Sequence, residues 1–294
     1  MNAAPIHRPF MDKRALVKQA MLASIKTRSR AGVDLINPIC IFDLCDKLGL
    51  TVRFTDINME GMYDRSSNPR IHLSSLRPLV RRVFTCGHEL GHHEFGHGST
   101  IDEMQEEAAA LQTESPDEFL VNAFSAFTLM PTVGLRGAFA KRQQAMATTD
   151  DITMFAVASN FGVGYTTLVS HLAYGIEQIT RERARQLLKS TPKSIKKQLL
   201  GDAPADPLVL VDQFWTARAI DVEVNTLLLL PTGAKIDGKV LKAQNALPTG
   251  DLYKAVRPGI GRVELTPGNF HFVRVASEKY VGLARYRHME DDDV

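Results

Sequence analysis

Two histidines four residues apart, with a glutamate directly after the first, stand out for chemistry in this chain: His88-Glu89-Leu90-Gly91-His92. On a helix that spacing puts both imidazoles on one face about one turn apart, where both reach a single zinc ion. Glu89 projects beside the same face and can take a proton from a water that the metal polarises. Val83, Phe84, Leu90 and Phe95 around the motif point to a partly buried helix. A second copy overlaps the first, His93-Glu94-Phe95-Gly96-His97. His92 and His93 point about 100° apart on a helix, so one site cannot use both copies. The first copy has helical turns on both sides, whereas the second runs into Gly96-His97-Gly98-Ser99, a helix end. The first is therefore the expected site, with His93 and His97 at its rim, behind a ligand, or solvated.

A hydrolytic zinc site takes a third protein ligand and keeps one position open for water. The long form of the motif needs a third histidine ten residues after His88. That position is Gly98, and His97 misses it by one. The alternative is a carboxylate from a following helix, and Glu118-Phe119-Leu120-Val121-Asn122 supplies one. Asn122, one turn beyond Glu118, lies on the same face and is placed to hydrogen-bond a ligand imidazole. Glu106, Glu107 and Glu114 are weaker ligand candidates, better read as a hydrated acidic segment. Peptide hydrolysis also needs an oxyanion donor, and Tyr63, His72, His93 and His97 are all open for that role. Ile71-His72-Leu73-Ser74 is expected to be an edge strand able to hold an extended peptide. Cys86, two residues before His88, points about 200° round the helix and reads as a buried, inert thiol, as do Cys40 and Cys45.

The elements that must position these groups are legible in outline. The pattern predicts helices over 12–30, from Asn37-Pro38 to Lys47, over 79–93 and over 117–129, the last stopped by Pro131. Short strands are expected at 51–55, 61–63 and 71–73, the last two joined by the Ser66-Ser67-Asn68-Pro69 turn. Helices follow near 152–161, 166–174, 181–188 and 192–200. After the Gly201–Pro207 linker the texture turns to strands, at 208–211, 220–224, 227–230, 253–256, 263–265 and 270–275. The expected architecture is α+β, with a metallopeptidase part at 1–150, a helical segment at 151–200 and a mostly β C-terminal domain at 201–294.

The 294 residues carry a net charge of only +2, with 44% hydrophobic and 23% charged residues, as in an ordinary globular protein. The average hides blocks of opposite sign. Ser99 to Leu135 holds no Lys or Arg, while Asp102, Glu103, Glu106, Glu107, Glu114, Asp117 and Glu118 are all negative. Arg181, Arg183, Arg185, Lys189, Lys193, Lys196 and Lys197 then stand against Glu182 alone, and the chain closes on Glu290-Asp291-Asp292-Asp293. Three cysteines are too few for a disulfide framework, and Met1 to Arg30 has no signal-like apolar core. The longest apolar run, Leu227 to Pro231, is too short to span a bilayer. A cytoplasmic protein without a membrane partner is expected.

The stretch Arg82-Val83-Phe84-Thr85-Cys86-Gly87-His88-Glu89-Leu90-Gly91-His92-His93 resembles the ImmA/IrrE metallopeptidases. So does the helix from Glu118 through Asn122 to Leu129-Met130-Pro131, and so do the short strands Gly61-Met62-Tyr63 and Ile71-His72-Leu73. The resemblance covers roughly 12–175. It implies a zincin-like fold with a gluzincin-like site: His88, His92 and Glu118 on zinc, Glu89 as general base. It also implies an intracellular endopeptidase that cleaves a partner helix-turn-helix repressor, encoded in the same operon, under stress or DNA damage. Some relatives end in a sensory domain, which makes a regulatory role for the C-terminal part the natural expectation.

Ala156 to Leu172 has the cadence of a helix-turn-helix, but its would-be recognition helix offers Tyr165, Thr166, Thr167, Ser170 and His171, with no Lys or Arg. That favours a helical pair packed under the peptidase, and the alternative function is a DNA-binding transcriptional regulator with a structural or vestigial zinc site. A narrower version keeps the peptidase and lets the seven cations of 181–197 contact a nucleic-acid activator.

Overall fold

The computed structural model describes residues 12–102, 115–216 and 219–289. Glu103, Glu106, Glu107, Glu114 and the acidic tail from Glu290 lie outside the described residues. Helix α1 (Lys13–Arg30) begins where the Asp12 carboxylate accepts from the amides of Arg14 and Ala15, satisfying donors that the first turn leaves open. Helix α2 (Ile41–Lys47) starts later than the Asn37-Pro38 signal suggests. The Asn37 carbonyl instead accepts from the buried Arg28 guanidinium, so this segment is tied to α1.

The first sheet comprises β1 (Thr51–Thr55), β2 (Gly61–Asp64), β3 (Arg70–Ser74) and β4 (Thr100–Asp102), closed by β13 (Gly282–Leu283) from the far end of the chain. Its order is β13-β1-β3-β2-β4, with β1 and β3 parallel and the other pairs antiparallel. β3 thus lies between β1 and β2. The edge-strand expectation for Ile71–Ser74 is corrected, because both of its ladders are already used; β4 and β13 hold the edges. One face of the sheet, with Val52, Phe54, Tyr63, Ile71 and Leu73, is buried. On that face lies α3 (Leu79–Glu94), and α4 (Pro116–Leu129) packs between α3 and α1.

Helix α5 (Thr132–Lys141) follows directly after Pro131, then α6 (Asp151–Phe161), which ends on Gly162 in the left-handed region. Helix α7 (Tyr165–Ser170) continues into a π turn (His171–Gly175), and α8 (Arg181–Leu187) and α9 (Pro192–Leu200) complete the middle. The C-terminal strands are β5 (Leu208–Leu210), β6 (Ile220–Glu223), β7 (Leu227–Leu230), β8 (Lys235–Asp237), β9 (Leu241–Leu247), β10 (Gly250–Ala255), β11 (Gly259–Thr266) and β12 (Asn269–Ala276). They form two four-stranded sheets, ordered β5-β7-β10-β9 and β6-β12-β11-β8.

The four leucines of β7 explain how these layers stack. Successive strand residues face opposite ways, and Leu227 and Leu229 join the core shared with the helices, while Leu228 and Leu230 join the core between the two sheets. The architecture is α+β. Among the described residues no single helix is long and apolar enough to cross a membrane.

Candidate metal centre

The site is built by the close approach of α3 and α4. Gly87 and Gly91, one turn apart, line the face of α3 that meets α4. A Cβ on Gly87 would lie 2.4 Å from Ser125 Oγ, and one on Gly91 would lie 2.9 Å from Val121 Cβ. Ser125 Oγ donates to the Phe84 carbonyl at 2.8 Å, fixing the contact. Helical geometry places Glu118 and Asn122 on the flank of α4 next to this seam, and His88 and His92 on the matching flank of α3.

His88 Nε2 and His92 Nε2 come within 3.1 Å, and Glu118 faces both, with Oε2 at 3.5 Å from His88 Nε2 and Oε1 at 3.7 Å from His92 Nε2. One donor atom from each of the three residues lies within 4.8 Å of the others. Two imidazoles and a carboxylate are the donor set of hydrolytic zinc enzymes, so the residues present fit such an ion. Both histidines are held from behind. His88 Nδ1 donates to Asn122 Oδ1 at 2.8 Å, and His92 Nδ1 lies 2.9 Å from His97 Nδ1. With the Nδ1 positions so engaged, the Nε2 lone pairs face inward.

Glu118 enters this geometry as the third residue of α4. Ser115 caps the helix through a 3.4 Å bond from the Glu118 amide, Pro116 takes the first turn, and Asp117 and Glu118 suit the positive helix end. Glu89, fully buried, occupies a different flank of α3, together with Thr85 and His93, and this flank packs on β2. Gly61 on β2 makes room for it: a Cβ there would lie 2.6 Å from Glu89 Oε1 and 2.6 Å from Thr85 Cγ2.

The remaining sequence candidates separate clearly. Helix α3 ends at Glu94, and Gly96 turns the chain at φ +71, so the second motif copy is not helical along its length. His97 folds back onto His92, with Nε2 3.8 Å from an Asp117 carboxylate oxygen. His93 Nδ1 lies 2.8 Å from Tyr63 Oη on the β2 side, where burial lowers the His93 pKa and raises that of Tyr63. His72 is not brought to the site. It pairs across from Met62, one residue out of phase with the Gly61 and Tyr63 face, so strand alternation turns it away from Glu89. Cys86 is fully buried with its sulfur 3.7 Å from Cys45 Sγ, and burial pushes its thiol well up.

The helix-turn-helix cadence does not yield a reading surface. Tyr165, Thr167, Ser170 and His171 are buried, and Tyr165 Oη donates to the Leu187 carbonyl at 2.9 Å. Two of the seven cations also turn inward. Arg183 donates to the Thr149 carbonyl, and Lys196 donates to the carbonyls of Pro204 and Asp206. Arg181, Arg185, Lys189, Lys193 and Lys197 are exposed, with Arg185 paired to Glu182.

Sequence reasoning missed Gly61, Gly87, Gly91 and Ser125, which set the spacing of the site without supplying a ligand. The Gly87-x-x-x-Gly91 repeat was the available signal for a close helix contact. Comparison with known proteins places these residues in context. Residues 45–172 match the family described as the IrrE N-terminal-like domain, peptidase family M78. No curated protein matches the chain. A solved structure described as a Mycobacterium tuberculosis transcriptional regulator is similar at 15% identity and a TM-score of 0.35, over 55% of this chain and 49% of its own. The chain thus spans about half the length of that protein.

Proposed function

Residues 45–172 form an IrrE N-terminal-like domain of the ImmA/IrrE family, and from that premise we propose that the chain is a zinc-dependent endopeptidase with a zincin-like catalytic part. The observation that carries this reading is the convergence of His88, His92 and Glu118 within 4.8 Å, with Glu89 on the same helix. Those three residues would hold the ion, which when bound lowers the pKa of a coordinated water to about 7 and polarises a carbonyl. Glu89 would accept the proton from the attacking water and pass it to the departing amine. Its burial against β2 keeps that carboxylate away from competing bulk water. Tyr63 and His93, hydrogen-bonded to each other on the β2 flank, are the candidates for steadying the oxyanion. A substrate strand would add at the β4 edge of the first sheet.

The substrate we propose is a specific cytoplasmic protein, a helix-turn-helix repressor from the same operon, cleaved in response to stress. The β part at 201–294 would serve regulation, and the exposed cations of α8 and α9 would meet a nucleic-acid activator. A flat response of activation to salt removes that last element. The DNA-binding alternative gains nothing from α7, where every side chain but that of Thr166 is buried.

The test is Glu89→Gln. Cleavage of the co-expressed neighbouring repressor, read by N-terminal sequencing of fragments, is expected to vanish while metal content by mass spectrometry stays at wild-type level. Cleavage that persists in this variant overturns the assignment.

A further inference from the structure

Where α3, the helical middle and the C-terminal sheets meet, the fold forms a partly open cavity of about 240 Å³. Leu79 and Val83 from the start of α3, Ala158 and Val163 around the α6–α7 turn, and Leu208 and Val222 from β5 and β6 line it. Such an apolar lining suits a small hydrophobic molecule. The polar groups in the wall are mostly committed elsewhere. Ser159 Oγ accepts from the Leu210 amide, Lys196 holds two carbonyls, and Asp221 binds Arg274 and Arg287. Glu223 is the exception: its Oε2 takes Arg82, while Oε1 is buried and has no hydrogen-bond donor among the described residues. A buried charged acceptor left unmet costs more than a neutral one, so the wall asks for a donor. The charges beside it already cancel, Arg82 against Glu223 and Arg274 against Asp221, which favours a neutral donor over a cation.

We infer that this cavity binds a neutral apolar small molecule carrying one hydrogen-bond donor, a hydroxyl or a ring N–H, seated on Glu223 Oε1. A cavity of about 150 Å³ in another protein accepts benzene, so this one takes roughly ten heavy atoms, a fused bicyclic ring. The inference is independent of the peptidase reading, because it concerns the opening turns of α3 and none of the metal-facing residues.

Equilibrium dialysis of the full chain against 2-naphthol and naphthalene tests it. Saturable binding is expected, with 2-naphthol about tenfold tighter, the worth of one hydrogen bond to a charged acceptor. Glu223→Gln should bring the two probes within about threefold of each other. Ala158→Phe, which fills the cavity and leaves the ion pair alone, should remove binding of both. If that variant does not fold, Val209→Phe, at a position that also lines the cavity, is read the same way. Absence of saturable binding, equal affinity of the two probes for the wild type, or binding unchanged by the filled cavity would each overturn the inference.

Discussion

The buried Glu89 carboxylate lies so close to strand β2 that not even a methyl group fits between them. Gly61→Ala places a Cβ 2.6 Å from Glu89 Oε1, so the carboxylate or the strand must shift. Peptidase activity is expected to fall by at least about tenfold, since small misplacements at a reacting group are expensive. Metal content should be unchanged, because His88, His92 and Glu118 lie on other flanks. The opposite signature is expected for Asn122→Ala. It removes the acceptor that orients His88, and chelator competition should show metal affinity weakened by about 10–100-fold. Together the two variants separate the proposed role of Glu89 in proton transfer from the proposed role of His88, His92 and Glu118 in holding an ion.

At the scale of elements, the α3–α4 seam sets the distance between ligands that come from different helices. Gly91→Ala drives a methyl to within 2.9 Å of Val121 Cβ and must part the helices. Overpacking of this kind costs about 1–3 kcal/mol, so denaturant unfolding and metal affinity should decline together. The elements themselves were unevenly legible in the sequence. Helices α1, α3 and α4 announce themselves through Asp12, the apolar stripe around His88, and Pro116 after Ser115. Helix α5 does not, since Gly134 and Gly137 each cost about 1 kcal/mol in a helix interior and the pattern follows Pro131. It forms because Leu135, Ala138 and Phe139 are buried, and because Gly134 lets it approach the Ile36 carbonyl. Strand β9 is mostly exposed and carries no alternation; it exists through its ladder with β10. The grouping of His88, His92 and Glu118 was readable because one helix repeat and one capped helix encode it. The place of β3 inside its sheet was not, because a short alternating segment does not say that β1 will pair with it in parallel on one side while β2 pairs on the other.

Over the whole molecule, polar ties bind the parts into one body. Arg82 pairs with Glu223, Arg274 with Asp43 and Asp221, and Arg142 with Asp212, so C-terminal residues brace α3, α2 and the end of α5. Thermal unfolding is therefore expected as one transition, coincident by near- and far-ultraviolet circular dichroism. Its pH dependence has an identifiable contributor. His171 is buried with Nε2 3.1 Å from the Met130 carbonyl, and burial lowers its pKa from 6.5 to about 4. The unfolded chain takes up this proton below about pH 6.5 and the folded chain does not. Stability is thus unaffected above that pH and is lost on acidification, by on the order of 3 kcal/mol at pH 4. His171→Gln, which keeps a donor for Met130, should flatten the fall between pH 6.5 and 4 relative to wild type in urea titrations.

The two-residue strand β13 gives the molecule a timetable. It closes the β1 side of the first sheet, yet it is encoded about 230 residues after β1. At about 5–20 residues per second, a ribosome needs tens of seconds to deliver it. Throughout that interval β1 presents an open hydrogen-bonding edge, a template for pairing with other chains. A nascent chain is therefore stickiest after the histidines of α3 have been made and before β13 emerges, and the pairing of β13 with β1 is what withdraws the template.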